Sequence, residues 1–77
     1  MLSVTVCPLT SDLQSNIPLL RITIEPSAEN GLRLPSQIAI DKITTLAVSR
    51  VTLAIGRASD EVMTQVTRAL AVFLEVV

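Results

Sequence analysis

Thr10, Ser11 and Asp12 follow directly on an alternating apolar run, Leu2-Ser3-Val4-Thr5-Val6-Cys7, and the Pro8 that closes it. Two adjacent hydroxyls at a strand end, beside backbone N–H groups that the strand no longer engages, can hold an anion such as a phosphate. The same residues can instead close a turn whose side chains satisfy their own backbone, and the pattern alone favours that simpler use. Arg33, in a loop, and Lys42, on an expected strand, can supply positive charge to a phosphodiester or stand as solvated surface charges. Asp41 is expected to be half-buried and ion-paired, to Lys42 or to an arginine, rather than engaged in acid–base work.

Several chemistries are excluded by residue type. The 77 residues contain no histidine, one cysteine and two glycines. Ser-His-Asp and Cys-His hydrolysis both need an imidazole. A zinc centre needs several converging ligands, and a glycine-rich phosphate loop needs more than Gly31 and Gly56. A lone cysteine has no disulfide partner in its own chain, and Cys7 reads as a small buried hydrophobe. No cofactor or metal is therefore expected. The formal net charge of −1 argues against a bulk polyanion binder but leaves room for a local basic patch. No apolar run approaches the ~18–20 residues of a membrane span, and the first residues lack the pattern of a signal peptide. The cytoplasm is the expected compartment and no membrane partner is expected.

The elements that must position these residues fit one domain, residues 1–77, of the α+β class. Strands are expected at 2–7, at 20–25 (Leu20, Ile22, Ile24), at 37–46 with a bend or bulge near Lys42, and at 51–55 (Val51, Leu53, Ile55). Polar residues 10–16 read as a loop, and Glu29-Asn30-Gly31 as a turn. The period then changes. Val62, Val66, Leu70 and Phe73, widened by Met63, Ala69, Leu74 and Val77, form a helical stripe. Ser59 is the expected N-cap, and Asp60 and Glu61 sit at the positive end of the helix dipole. A chain this short buries only about 60–65% of its unfolded surface, so a partner subunit or strand is the expected aid to stability.

Three stretches together resemble the MazF/PemK toxins. Val4-Thr5-Val6-Cys7-Pro8-Leu9-Thr10-Ser11 is similar to their strand and hydroxyl-ending loop. Asn30-Gly31-Leu32-Arg33-Leu34-Pro35-Ser36, continuing through Gln37-Ile38-Ala39-Ile40-Asp41-Lys42-Ile43-Thr44-Thr45, is similar to their glycine-leucine loop and central strand. Val51 to Gly56 and the helix from Asp60 are similar to their closing segment. The resemblance implies a small SH3-like, partly closed antiparallel barrel with a C-terminal helix, a homodimer. It implies a metal-independent endoribonuclease that cuts single-stranded RNA and is restrained by a MazE-like antitoxin. The family's phosphate-contacting threonine then maps onto Thr10, with Ser11 beside it, and a polar RNA-proximal residue of the central strand onto Lys42; Arg33 joins Lys42 as a candidate for RNA backbone contact on its charge alone.

The family's opening strand with its Arg-Gly-Asp-like start, its glycine-rich loop and its Arg-Pro-containing second strand have no counterpart here. The expectation is a chain that starts at the family's third strand, without the arginine placed at the phosphate. A shortened product, a gene start placed too late and a second copy supplying the missing parts are all open explanations. Two other functions stand beside the endoribonuclease: a non-catalytic antitoxin-binding or self-association module, and a CcdB-like gyrase poison, which the tryptophan-free ending Phe73-Leu74-Glu75-Val76-Val77 disfavours.

Overall fold

The computed structural model describes residues 2–17 and 19–75. Five short strands precede one helix: β1 Ser3–Val6, β2 Leu9–Thr10, β3 Arg21–Ile24, β4 Ser36–Ala39, β5 Thr44–Ala47 and α1 Asp60–Phe73. The strands pair as two antiparallel sheets, β1 with β5 and β2-β4-β3. Two corners join the sheets. The chain passes from β1 into β2 through Cys7 and Pro8, and from β4 into β5 through a 3-10 turn at Ile40–Lys42. The result is the expected α+β architecture, a partly closed antiparallel barrel with its helix at the C-terminal end.

Side-chain alternation decides what each face of the three-stranded sheet carries. Ile22 on β3 lies opposite Ile38 on β4, which in turn lies opposite Leu9 on β2. With Ile24 and Ile40 these residues face α1, and Ile22, Ile24, Ile38, Ile40 and Val66 form the buried core. Ile40 is the one fully buried large side chain among the described residues. The opposite face of the same strands carries Thr10, Gln37 and Thr23 in one row, since Gln37 is the register partner of both threonines. Arg21 and Ala39 form the next row.

The helix forms as its pattern dictates. Ser59 caps it by accepting from the Val62 N–H at 3.2 Å, and Asp60 and Glu61 occupy the first turn. Its 14 residues span about 21 Å at 1.5 Å per residue. Val66 is buried, and Val62, Ala69 and Leu70 pack against the core. Met63, Phe73 and Leu74 lie on the open side of the stripe and are exposed. Val77 lies outside the described residues.

Three expectations about strands are corrected. The strand expected across 37–46 is two strands in different sheets. Asp41 leaves the ladder to meet Arg21, and Ile43 N–H closes the 3-10 turn on the Ile40 carbonyl at 3.3 Å. Ile40 thereby stays in the core while the chain changes direction. The 51–55 alternation is extended but pairs with no strand among the described residues, and Val51, Leu53 and Ile55 are exposed. Alternation records which way side chains point, not whether a neighbouring strand exists. The apolar side of the first alternation is partly open: Leu2, just before β1, is 79% exposed and Val4 is 37% exposed, while Val6 is half-buried. In the other direction, Thr10, expected at the start of a loop, joins Leu9 in the short strand β2.

Candidate functional site

Thr10 ends β2 on the sheet face opposite the helix, half-buried. Its Oγ1 accepts from the Asp12 N–H at 3.0 Å. This is the local turn that the pattern alone favoured, and it fixes the hydroxyl rather than consuming it. One lone pair takes the amide, and the hydroxyl proton has no acceptor among the described residues, so it can still donate to an incoming oxyanion. Ser11, next in the chain, is exposed, and its hydroxyl makes no hydrogen bond among the described residues.

The loop after Thr10 folds back over this face. Gln37, at the centre of β4, accepts from the Gln14 N–H at 2.8 Å and donates to the Gln14 carbonyl at 3.0 Å. The same amide group donates to Thr23 Oγ1 at 3.2 Å. Gln37 is 5% exposed although it belongs to the polar face, because the loop covers it.

Arg21 and Asp41 form a second polar pair on this side. Arg21 Nε donates to Asp41 Oδ1 at 2.8 Å, and a terminal guanidinium nitrogen donates to Oδ2 at 3.3 Å. The hydrogen bond from Arg21 holds the Asp41 carboxyl below the ordinary aspartate value, against partial desolvation, with Lys42 nearby adding to the effect. The same bond raises the Arg21 guanidinium, and Asp12 contributes from the covering loop. Asp41 is therefore an ion-pair carboxylate and a poor proton acceptor. Its pairing was expected from the sequence, and the partner is Arg21.

The four residues singled out from sequence do not converge. Thr10 and Ser11 stand at the end of β2. Lys42 is exposed on the 3-10 turn that follows the Ala39 end of β4, not on a strand. Arg33 is exposed on the connection joining the Ile24 and Ser36 ends of β3 and β4, at the other end of the sheet. Sequence reading passed over Gln37, Gln14 and Arg21. Gln37 read only as the polar half of an alternation, and its partner lies 23 residues away. Cys7 packs against the core, where burial pushes its thiol up and away from nucleophilic use. No group of three or more His, Cys, Asp or Glu side chains is placed to hold a metal among the described residues.

The family model of PemK-like, MazF-like toxins of type II toxin-antitoxin systems matches residues 2–74. The chain belongs to the PemK/MazF toxin family. It is 46% identical over 72 residues to a probable endoribonuclease MazF of Mycolicibacterium smegmatis, a match covering 94% of this chain and 65% of that protein. Among solved structures it resembles the Mycobacterium tuberculosis toxin MazF-mt6, with a TM-score of 0.77 at 25% identity. That match covers 90% of this chain and 66% of the other. The chain thus spans just under two thirds of the length of these PemK/MazF relatives. No helix among the described residues is long and apolar enough to cross a membrane.

Proposed function

We propose that this chain carries the RNA-facing sheet of a metal-independent endoribonuclease toxin that cuts single-stranded RNA. The observation that supports it most is the 46% identity, across 94% of the chain, to a protein named as a probable endoribonuclease. In such a cleavage the 2′-oxygen bonds to the adjacent phosphorus and the bond to the 5′-oxygen breaks. The proton of the 2′-hydroxyl is taken up by the leaving 5′-oxygen, giving a cyclic phosphate and a 5′-hydroxyl. Charge builds on the non-bridging oxygens as the new bond forms. A prepositioned O–H donor directed at one of them stabilises the transition state more than the ground state.

Thr10 is that donor in this reading, and Ser11 is a second hydroxyl beside it. Lys42 and Arg33, exposed at opposite ends of the sheet, attract the flanking backbone. A cognate MazE-like antitoxin and a second copy of the chain are the proposed protein partners, with the cytoplasm as the place of action and residues 1–77 as one folding unit.

A second reading has one observation in its favour. Arg21, the arginine on the Thr10 face of the sheet, is already bound to Asp41. A chain with no arginine at the phosphate can bind antitoxin or its own kind without cutting.

One assay separates the two: a long single-stranded RNA incubated with the purified chain in EDTA, with the cut sites mapped. Cuts at a defined short sequence, ending in cyclic phosphate, support the endoribonuclease. A chain that is folded by circular dichroism and leaves the RNA intact supports the binding module.

A further inference from the structure

We propose that Gln37 is the positioning residue of this site: its side chain clamps the loop after β2 and thereby holds the Thr10 hydroxyl in register with an incoming phosphate. The proposal rests on the endoribonuclease reading for its catalytic part and on geometry alone for the clamp.

A primary carboxamide offers the same pair of groups as a backbone peptide, one donor side and one acceptor side. Gln37 uses both on a single residue, taking the N–H of Gln14 at 2.8 Å and giving to its carbonyl at 3.0 Å. This reproduces one step of antiparallel pairing, with a side chain in place of a strand. The orientation of the amide follows from its neighbours. Turned over, Nε2 would face the Gln14 N–H, and the donation to Thr23 at 3.2 Å would be lost.

The loop has little else to hold it. Gln14 makes no other backbone hydrogen bond among the described residues. Leu13 is 49% exposed and contributes little burial. Among the described residues the remaining hydrogen bonds are at its two ends, the Asp12 N–H on Thr10 Oγ1 at 3.0 Å, and the Leu20 N–H on the Ile17 carbonyl at 3.0 Å with the Ile40 N–H on the Leu20 carbonyl at 2.9 Å. Gln37 is also the register partner of Thr10 itself. One residue therefore fixes the strand carrying the hydroxyl and the loop whose amide orients it. Releasing the loop frees the Asp12 N–H to move, and the Thr10 hydroxyl loses the bond that fixes its direction. Misplacement of a reacting group by about 1 Å costs on the order of 10²-fold in rate.

The test uses the 77-residue chain and two variants, Gln37→Met, which deletes the clamp at similar volume, and Gln37→Glu, which keeps the size and the bond from Gln14 but sets a carboxylate against its carbonyl. Amide hydrogen exchange is read residue by residue. In Gln37→Met the expected result is loss of protection at Gln14 and Asp12, about tenfold or more, and in Gln37→Glu, which keeps the acceptor for the Gln14 N–H, a smaller loss; the amides of Ile24 and Ile38 stay protected in both. Unchanged exchange at Gln14 in Gln37→Met, or loss at all four amides together, overturns the clamp.

Cleavage is read in a double-mutant cycle. Gln37→Met lowers kcat about 10–100-fold, with KM changed less. In a Thr10→Ala background it lowers kcat by less than about threefold, because Gln37 acts through the hydroxyl already removed. Equal losses in both backgrounds overturn the positioning role. A wild-type chain that cuts no RNA overturns the endoribonuclease reading and the catalytic part of this assignment with it, while the amide data still decide the clamp.

Discussion

Gly31 and Gly56 lie back to back. A β-carbon on Gly31 would fall against the carbonyl oxygen of Ile55, and one on Gly56 against the peptide carbonyl of Asn30, both far inside van der Waals contact. Gly31 also has φ +68, a left-handed conformation that costs other residues strain. The contact is pinned by the Arg57 N–H on the Glu29 carbonyl at 2.8 Å, with the turn closed by the Gly31 N–H on the Ser27 carbonyl at 3.1 Å. The Asn30 side chain completes the turn, accepting from the Ser27 and Leu32 N–H groups. A sequence with only two glycines spends both on one close approach. It lashes the 51–58 segment, which joins neither sheet, to the turn between β3 and β4.

Gly56→Ala should therefore lower stability by about 1–3 kcal/mol, as overpacking does. Gly31→Ala should cost a further ~1 kcal/mol for the left-handed backbone. Urea midpoints measured at constant m-value check both. A midpoint unchanged in Gly56→Ala would show that the two segments part without penalty.

Thr10→Ala should lower RNA cleavage about 10²–10³-fold, the usual effect of deleting one transition-state donor. Thr10→Ser, which keeps the hydroxyl, should retain most of the activity. Single-turnover rates on a short RNA carrying the mapped cut site measure both. Equal rates for wild type and Thr10→Ala would remove Thr10 from the chemistry.

Asp41 ties stability to pH in a direction set by its lowered pKa. Its ion pair with Arg21 contributes fully above the ordinary aspartate value of about 3.9 and is lost as pH falls through the lower folded value. Stability should fall on acidification below about pH 4 in the wild type. Asp41→Asn should be less stable at pH 7 and should show a smaller fall over the same acid range. Thermal melts of the two proteins from neutral pH down to about pH 2.5 give the comparison, and parallel curves would exclude a role for this carboxylate.

Ser59→Ala removes the acceptor for the Val62 N–H and should cost about 1 kcal/mol. In a domain of this size that lowers Tm by about 4–8 °C. Ser59→Asp, which keeps an acceptor and adds charge at the positive end of the dipole, should restore or exceed the wild-type Tm. A melt insensitive to both changes would mean that the first turn is held by packing alone.

The legible parts of this fold are those whose cause is local. The helix announces itself through Ser59, Asp60 and a stripe spaced near 3.6, and β3 through Ile22 and Ile24. The polar pairing of Asp41 was legible because a half-buried carboxylate next to Ile40 needs a cationic partner. What escaped reading depends on contacts distant in sequence. The break after Ala39 is set by the meeting of Asp41 with Arg21, 20 residues earlier, and by Ile40 staying in the core. The clamp of Gln37 on Gln14 has no local signature at all, since a glutamine alternating with isoleucines is what any solvent-facing strand position looks like. Thr10 was legible only as a hydroxyl at a strand end. That it stands in a row with Gln37 and Thr23 follows from pairing register, which no single strand encodes.

The 51–55 segment has a consequence for how copies of this protein meet in solution. Val51 to Gly56 is an uncharged, proline-free stretch rich in β-branched residues, and it pairs with no strand among the described residues. Exposed stretches of this composition are an aggregation hazard, because they can stack as strands. Arg50 bounds it on one side and Arg57 on the other, both exposed. In-register stacking would bring each cation against its own duplicate every ~4.8 Å. Arg50 and Arg57 thus stand where gatekeeper charges oppose such stacking by like-charge repulsion.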